Sequence, residues 1–276
     1  MILSRLNQLI KKHLVARLLL FLLLLATIWS PFAIAGSKLL SHDPNLMTIV
    51  TMGCLFIVFL GLQRVWGVYV YNQPRIFQQY GLRFNQPSFS TLIKGLAIGF
   101  CVCWSLFITE ALLGWLKFNT SSEFIVKIVA EGLLSALGIA LAEELVFRGW
   151  LLFEIEQDYS KAASLGISSL LFAIAHFLKP ISEIIRTLVN FPALVLLGLL
   201  LVWAKRGNHG RLTIAIGIHA GLIWGYYILN VGKLIEYTNR VPNWMTGIDG
   251  NPIAGILGLC FLGLLAIVMR RKALAV

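Results

Sequence analysis

The chain has 276 residues, 58% hydrophobic and 13% charged, with a formal net charge of +11 and a mean hydropathy of +0.84. Soluble globular domains carry about 25% charged residues, so this composition excludes an ordinary soluble fold and indicates a polytopic membrane protein. The basic excess is scattered through short loops, with no basic helix and no aromatic-interleaved patch, which argues against a nucleic-acid partner.

A span needs about 20 mostly apolar residues. Eight stretches qualify, near 15–35, 46–70, 91–116, 125–153, 162–179, 187–204, 212–230 and 252–270. The expected fold is all-α, a bundle of about eight transmembrane helices forming a single membrane domain over residues 1–276. In the first span Arg5, Lys11, Lys12 and Arg17 precede a leucine-rich run ending Ala33-Ile-Ala35-Gly36, which resembles a signal-peptidase site. The apolar run exceeds the usual 7–15-residue signal core, so an uncleaved anchor is expected.

Lys and Arg alternate between the two sets of flanks at roughly two to one, which places both termini on the cytoplasmic side of the bilayer. On this reading Lys205, Arg206 and Arg211 are cytoplasmic flank charges. Residues 71–90, with Tyr71 and Tyr80, form an ordinary loop. Residues 231–251 form an outside loop anchored by Trp244. Glu154, Glu156 and Asp158 read as solvated charges after the fourth span, and His13, His42 and His209 as exposed. Cys54, Cys101, Cys103 and Cys260 lie in apolar segments without zinc spacing and read as packing residues.

Ionisable groups at membrane depth are costly and mark functional sites. The fourth span carries them in Ala142–Trp150, reading AEELVFRGW. Glu144 and Arg148 stand at i,i+4, one above the other on a helix, so they are expected to pair. Glu143 points about 100° away from Glu144 and is left to face another partner. His176, within Phe172-Ala-Ile-Ala-His176, and His219, within Gly217-Ile-His219-Ala220-Gly221, lie on the fifth and seventh spans. Counting from the cytoplasmic helix ends, Glu143, His176 and His219 sit about 15, 21 and 10 Å deep. They are expected to converge near the midplane as a hydrolytic centre. Taken singly, an intramembrane histidine is more often an interhelical hydrogen-bonding residue, and a Glu–Arg pair can be purely structural.

Together, Glu143-Glu144-x-x-x-Arg148, Phe172-x-x-x-His176 and an intramembrane His219 resemble the CPBP family. These are the CAAX prenyl endopeptidases of the second type and their bacterial Abi or bacteriocin-processing relatives. The resemblance covers residues 125–230, the expected catalytic core. It implies intramembrane hydrolysis of CAAX-like or leader peptides, the substrate being a peptide or a prenylated or membrane-tethered protein. Glu143 would act as general base and His176 would orient the water. His219 would stabilise the oxyanion, with Glu144, Arg148 and Phe172 in support. No cofactor is expected. If zinc were used, Glu143, His176 and His219 would be its ligands, but HExxH spacing is absent. The family's last motif is typically HxxxN, and here Ile223 stands four residues after His219. Asn190 and Tyr226 are the residues weighed as substitutes for that amide.

Two other classes stay open on the sequence. One is a non-proteolytic membrane scaffold or immunity-type protein keeping this fold, which Ile223 favours. The other is a transporter using the carboxylate and histidines as a proton relay, against which stands the lack of an inverted repeat.

Overall fold

The computed structural model describes residues 13–120, 124–252 and 255–276, so the cations Arg5, Lys11 and Lys12 lie outside the described residues. The chain is helical, with one two-stranded sheet among the described residues. In order come α1 (Leu14–Leu39), α2 (Pro44–Tyr69), α3 (Ile76–Gln79), α4 (Gln86–Leu112), β1 (Leu116–Phe118) and α5 (Ile125–Glu144). A π-helical stretch, Leu145–Leu151, continues α5 into α6 (Leu152–Glu156). Then follow α7 (Lys161–Ala175), α8 (Ile181–Thr187), α9 (Phe191–Arg206), α10 (Leu212–Val231) and β2 (Ile235–Tyr237). Finally come α11 (Asn243–Thr246) and α12 (Ile256–Leu274).

By length and composition, six described helices can cross a membrane: 14–39, 44–69, 86–112, 125–156, 181–206 and 212–231. These helices make the chain an integral, multi-pass membrane protein. Lys161–Ala175 is apolar but shorter, and α12 ends in the cations Arg271 and Lys272. The sixth expected span is longer than its sequence pattern implied. It begins at Ile181 and is interrupted by a 3₁₀ turn at Leu188–Asn190, just before Pro192 at the start of α9. Proline has no N–H to give the preceding turn, which accounts for the break.

The chain packs as two compact units, residues up to Gln79 with Phe153–Ser160, and Tyr80–Leu152 with Lys161–Val276. In the first, Asp43 caps α2 by accepting from Leu46 N at 3.0 Å, with Pro44 at the first helical position. Phe21 of α1 meets Phe59 and Trp66 of α2 edge-on at 5.9 and 5.4 Å. Here two sequence expectations are corrected. Glu154 is fully buried, not solvated, and Arg17 is buried rather than a flanking charge. Arg17 Nε donates to Glu154 at 2.7 Å and its Nη2 to Asp158 at 3.0 Å, while Trp66 Nε1 and the Tyr71 hydroxyl also donate to Glu154. A buried guanidinium requires such partners, because an unpaired buried charge costs several kcal/mol. Burial, with Glu154 beside it, raises the Tyr71 pKa and keeps the phenol a donor.

In the second unit the closest helix pair is α4 with α10. Gly95 and Gly99 of α4 face Gly217 and Gly221 of α10, four glycines in two small-xxx-small pairs. A Cβ on Gly99 would stand 2.1 Å from Ile218 O, and one on Gly221 2.2 Å from Leu96 O. The backbones therefore touch, and Thr91 and Thr213 share a hydroxyl hydrogen bond of 2.7 Å at one end of the seam. Because the glycines of α10 lie against α4, His219, two residues from each, points away from it. Gly99→Ala and Gly221→Ala are each expected to cost about 1–3 kcal/mol by overpacking, read as a lowered melting temperature in detergent. Gly263→Ala, whose added Cβ meets nothing, is the control that should not move. Residues 71–90 are more ordered than an ordinary loop, since α3 and α4 begin within them and Ile76 and Tyr80 are fully buried. β1 pairs antiparallel with β2, Leu116 opposite Tyr237, beyond the ends of α4 and α10.

Candidate active site

Glu143 and Glu144 are the last residues of α5 before the helix widens into the π-turn carrying Arg148. Such widened turns often accompany functional sites. The expected i,i+4 pair is present: Arg148 Nη1 donates to Glu144 Oε1 at 2.8 Å, with both side chains essentially sealed from solvent. The same oxygen also faces His219 Nδ1 at 2.9 Å. Glu144 thus holds Arg148 on one side and fixes the His219 ring on the other, leaving His219 Nε2 aimed into a cavity.

His176 is fixed by a different device. It lies one residue past α7 rather than inside a span. Its backbone N–H bonds Ala173 O, so Phe172 O is released from the helical ladder, and His176 Nδ1 lies 2.8 Å from that carbonyl. A carbonyl can only accept, so Nδ1 carries the hydrogen and Nε2 of the neutral ring is an acceptor. The Phe172 ring is the platform beneath these groups. Arg148 Cζ lies 4.0 Å above it, and the His176 and His219 rings meet it edge-on at 4.5 and 6.3 Å.

Glu143 points to the other side, as the helix geometry requires. Its Oε2 is 3.8 Å from His176 Nε2 and 3.9 Å from His219 Nε2, and among the described residues it has no hydrogen-bond partner. These separations are too long for direct hydrogen bonds. They suit a bridging water, which needs two to four polar partners. All three side chains line a cavity of about 270 Å³, whose remaining walls are mostly apolar, Leu106, Phe107, Leu194, Leu197 and Leu262 among them.

The donor types would suit zinc, but the spacing is not drawn in. Among the described residues no group of three or more His, Cys, Asp or Glu side chains is arranged to hold a metal ion.

Ile223 lines the cavity beside His219. Of the two polar residues that could stand in for an amide there, Tyr226 is on the wall and Asn190 is not. Asn190 lies in the 3₁₀ turn and faces a neighbouring cavity. Asn251, which no sequence pattern singled out, lines both cavities. Two further groups are corrections or additions. Lys205 is buried, not a flanking charge, and its Nζ donates to Arg148 O at 2.6 Å, a carbonyl of the widened turn. Glu110 of α4 is a fully buried carboxylate that the span pattern concealed, and it accepts from the Tyr237 hydroxyl at 3.4 Å. Cys103 lines the cavity, and all four cysteines are free thiols. His13, His42 and His209 are exposed, as expected.

The chain is thus a multi-pass helical membrane protein with a carboxylate and two imidazoles around one cavity. Residues 125–225 match the family described as type II CAAX prenyl endopeptidase Rce1-like, which covers the stretch whose motifs carry the resemblance. No curated protein and no solved structure matches the chain.

Proposed function

We propose that this protein is an intramembrane endopeptidase that hydrolyses peptide bonds of membrane-associated substrates, CAAX-like or leader-bearing, with a water activated between Glu143 and His176. The observation that carries the reading is the convergence of Glu143 Oε2 and the two Nε2 atoms on one cavity, with both Nδ1 atoms tied behind them. The water donates one hydrogen to Glu143 and the other to His176 Nε2, which aims its lone pair at the scissile carbonyl. As the oxygen attacks, Glu143 takes the proton and negative charge moves to the carbonyl oxygen. His219 as the imidazolium gives its Nδ1 hydrogen to the Glu144 carboxylate and its Nε2 hydrogen to that oxyanion, an interaction worth about 3–4 kcal/mol. Glu143 then returns its proton to the departing amine, and the carbon–nitrogen bond breaks.

The core of this activity is residues 125–230, with Arg148 and Phe172 as positioning residues. The charge bias supports both termini facing the cytoplasm. The chemistry needs no metal. Purified protein is therefore expected to cleave at an unchanged rate after exhaustive chelation. Stoichiometric zinc lost together with activity, and restored with it, would overturn the metal-free mechanism.

The scaffold reading rests on Ile223, which places an apolar side chain where an amide would share the oxyanion. It is separated from the endopeptidase by His219→Ala and Glu143→Ala. These abolish cleavage in an enzyme and leave a scaffold's function intact.

A further inference from the structure

A larger cavity, of about 600 Å³, lies against α4, α5 and α10 and shares no wall residue with the catalytic one. Its size falls in the range of about 300–1,000 Å³ usual for ligand sites. Most of its walls are apolar, among them Leu92 of α4, Leu137 and Leu141 of α5, and Ile216 of α10. The polar groups gather at one end, where α4 and α10 begin. Two of them already have partners. Asn85 Oδ1 accepts from Ser88 N at 3.0 Å, and the Thr213 hydroxyl is shared with Thr91 at 2.7 Å. Two others are left over. Ser88 is only 2% exposed, and its Oγ has no hydrogen-bond partner among the described residues. A buried hydroxyl left without a partner keeps its full desolvation cost. Arg83 is exposed, and among the described residues its side chain makes no hydrogen bond or ion pair. The N-terminus of the 27-residue α4 adds partial positive charge at the same place.

We propose that this cavity binds an anionic phospholipid, its phosphate between Arg83 and the Ser88 hydroxyl and one acyl chain along the apolar walls. Such a lipid carries both complementary parts, an anionic head and a long apolar tail. The Ser88 hydroxyl donates to a phosphate oxygen, and the Arg83 guanidinium offers it paired N–H groups. The depths agree. Leu92 lies one turn beyond Ser88, about 6 Å along the helix, so the apolar walls descend from a polar rim at the headgroup level. Phe84 and Phe89 stand on that rim, 96% and 65% exposed, so the cavity opens to the surface and a lipid enters sideways from the bilayer. On the orientation proposed above, Arg83 faces the cytoplasmic leaflet, where anionic lipids concentrate. A zwitterionic lipid would set its own ammonium against Arg83 and the start of α4, which gives the site its selectivity. The bound lipid would brace the helices of the catalytic cavity, since Leu141 precedes Glu143 by two residues and Ile216 precedes His219 by three. The proposal does not depend on the endopeptidase reading, and its test reads binding alone.

The test titrates the full chain in neutral detergent with phosphatidylglycerol or phosphatidylcholine of identical acyl chains, and native mass spectrometry reads the affinity of the first lipid bound. Phosphatidylglycerol is expected to bind about 5- to 10-fold more tightly. Arg83→Gln should bring it down to phosphatidylcholine and leave the latter unchanged, while Arg83→Lys should keep most of the preference. Ser88→Ala should weaken both lipids, because both carry the phosphate that the hydroxyl meets. Leu137→Trp, which fills the apolar end, should also weaken both. Lys94→Gln removes another exposed cation of α4, one that does not line the cavity, and should change neither. Equal binding of the two lipids by the wild-type protein would overturn the site. So would a loss of preference in Lys94→Gln equal to that in Arg83→Gln, which would show attraction to the surface at large. Unweakened binding by a Leu137→Trp protein that melts as the wild type does would place the lipid elsewhere and sink the proposal. Glycerol 3-phosphate is expected to leave the bound lipid in place; its displacing phosphatidylglycerol would mark a site for free phosphate instead. Displacement by an isoprenoid-modified peptide, and not by the same peptide unmodified, would give the cavity to a substrate and overturn the assignment to phospholipid.

Discussion

Replacing Glu143 with glutamine is expected to lower turnover of a cleavable peptide by about 10²–10⁴-fold, the usual contribution of a positioned general base. The substitution keeps the side chain's size and its place on the cavity wall but removes the oxygen that faces both imidazoles. Substrate affinity and the protein's yield in the membrane should hardly move, because Glu143 makes none of the ion pairs that lock the helices. His176→Ala should fall in the same range through loss of the second water partner. Kinetics on purified protein, with melting temperatures beside them, separate this outcome from misfolding. If Glu143→Gln turned over within a few-fold of wild type, the base would have to be sought elsewhere.

Arg148→Ala is expected to cost about 3–5 kcal/mol of stability, the penalty for stranding one member of a buried ion pair. The reason is local. Glu144 is wholly buried and its charge is met by Arg148 at 2.8 Å, with His219 also on that oxygen. The guanidinium also covers the Phe172 ring, so its loss loosens the platform under both histidines. The double variant Glu144→Gln with Arg148→Met removes both charges at similar volume and should recover most of the stability. It should not recover turnover, because the carboxylate behind His219 is gone. A purely structural pair would let stability and turnover return together.

The parts of the site that follow from local spacing are legible in the sequence. Glu144 and Arg148 pair because i and i+4 face one another, and Glu143 diverges because adjacent helical residues do. The helix–turn position of His176, one residue beyond α7, was not legible. An apolar run through Phe177 and Leu178 hides the end of that helix, and the freed carbonyl of Phe172 appears only when the ladder shifts. The widened turn at Leu145–Leu151 leaves no mark on hydrophobic periodicity either, and so Lys205, which binds its Arg148 carbonyl, reads as one more flanking cation. Arg17 and Glu154 read as solvated for the same reason. Charges near the ends of apolar runs look solvated unless their partners, here 137 residues apart, are known. One signal was available and informative: Gly95-xxx-Gly99 and Gly217-xxx-Gly221 mark the α4–α10 seam that turns His219 toward Glu144. Asn251 and Lys179 join the cavities only through tertiary packing, and nothing in their local sequence announces it.

Hydrolysis of peptide bonds by water that Glu143 activates is open to direct measurement. Its most direct test is to incubate a library of membrane-inserting peptides with the purified protein in H₂¹⁸O, and to read new C-termini by mass spectrometry. New termini carrying one ¹⁸O are expected with the wild-type protein, and none above background with Glu143→Gln. Matching sets of new termini from both proteins, or none from either, would contradict it.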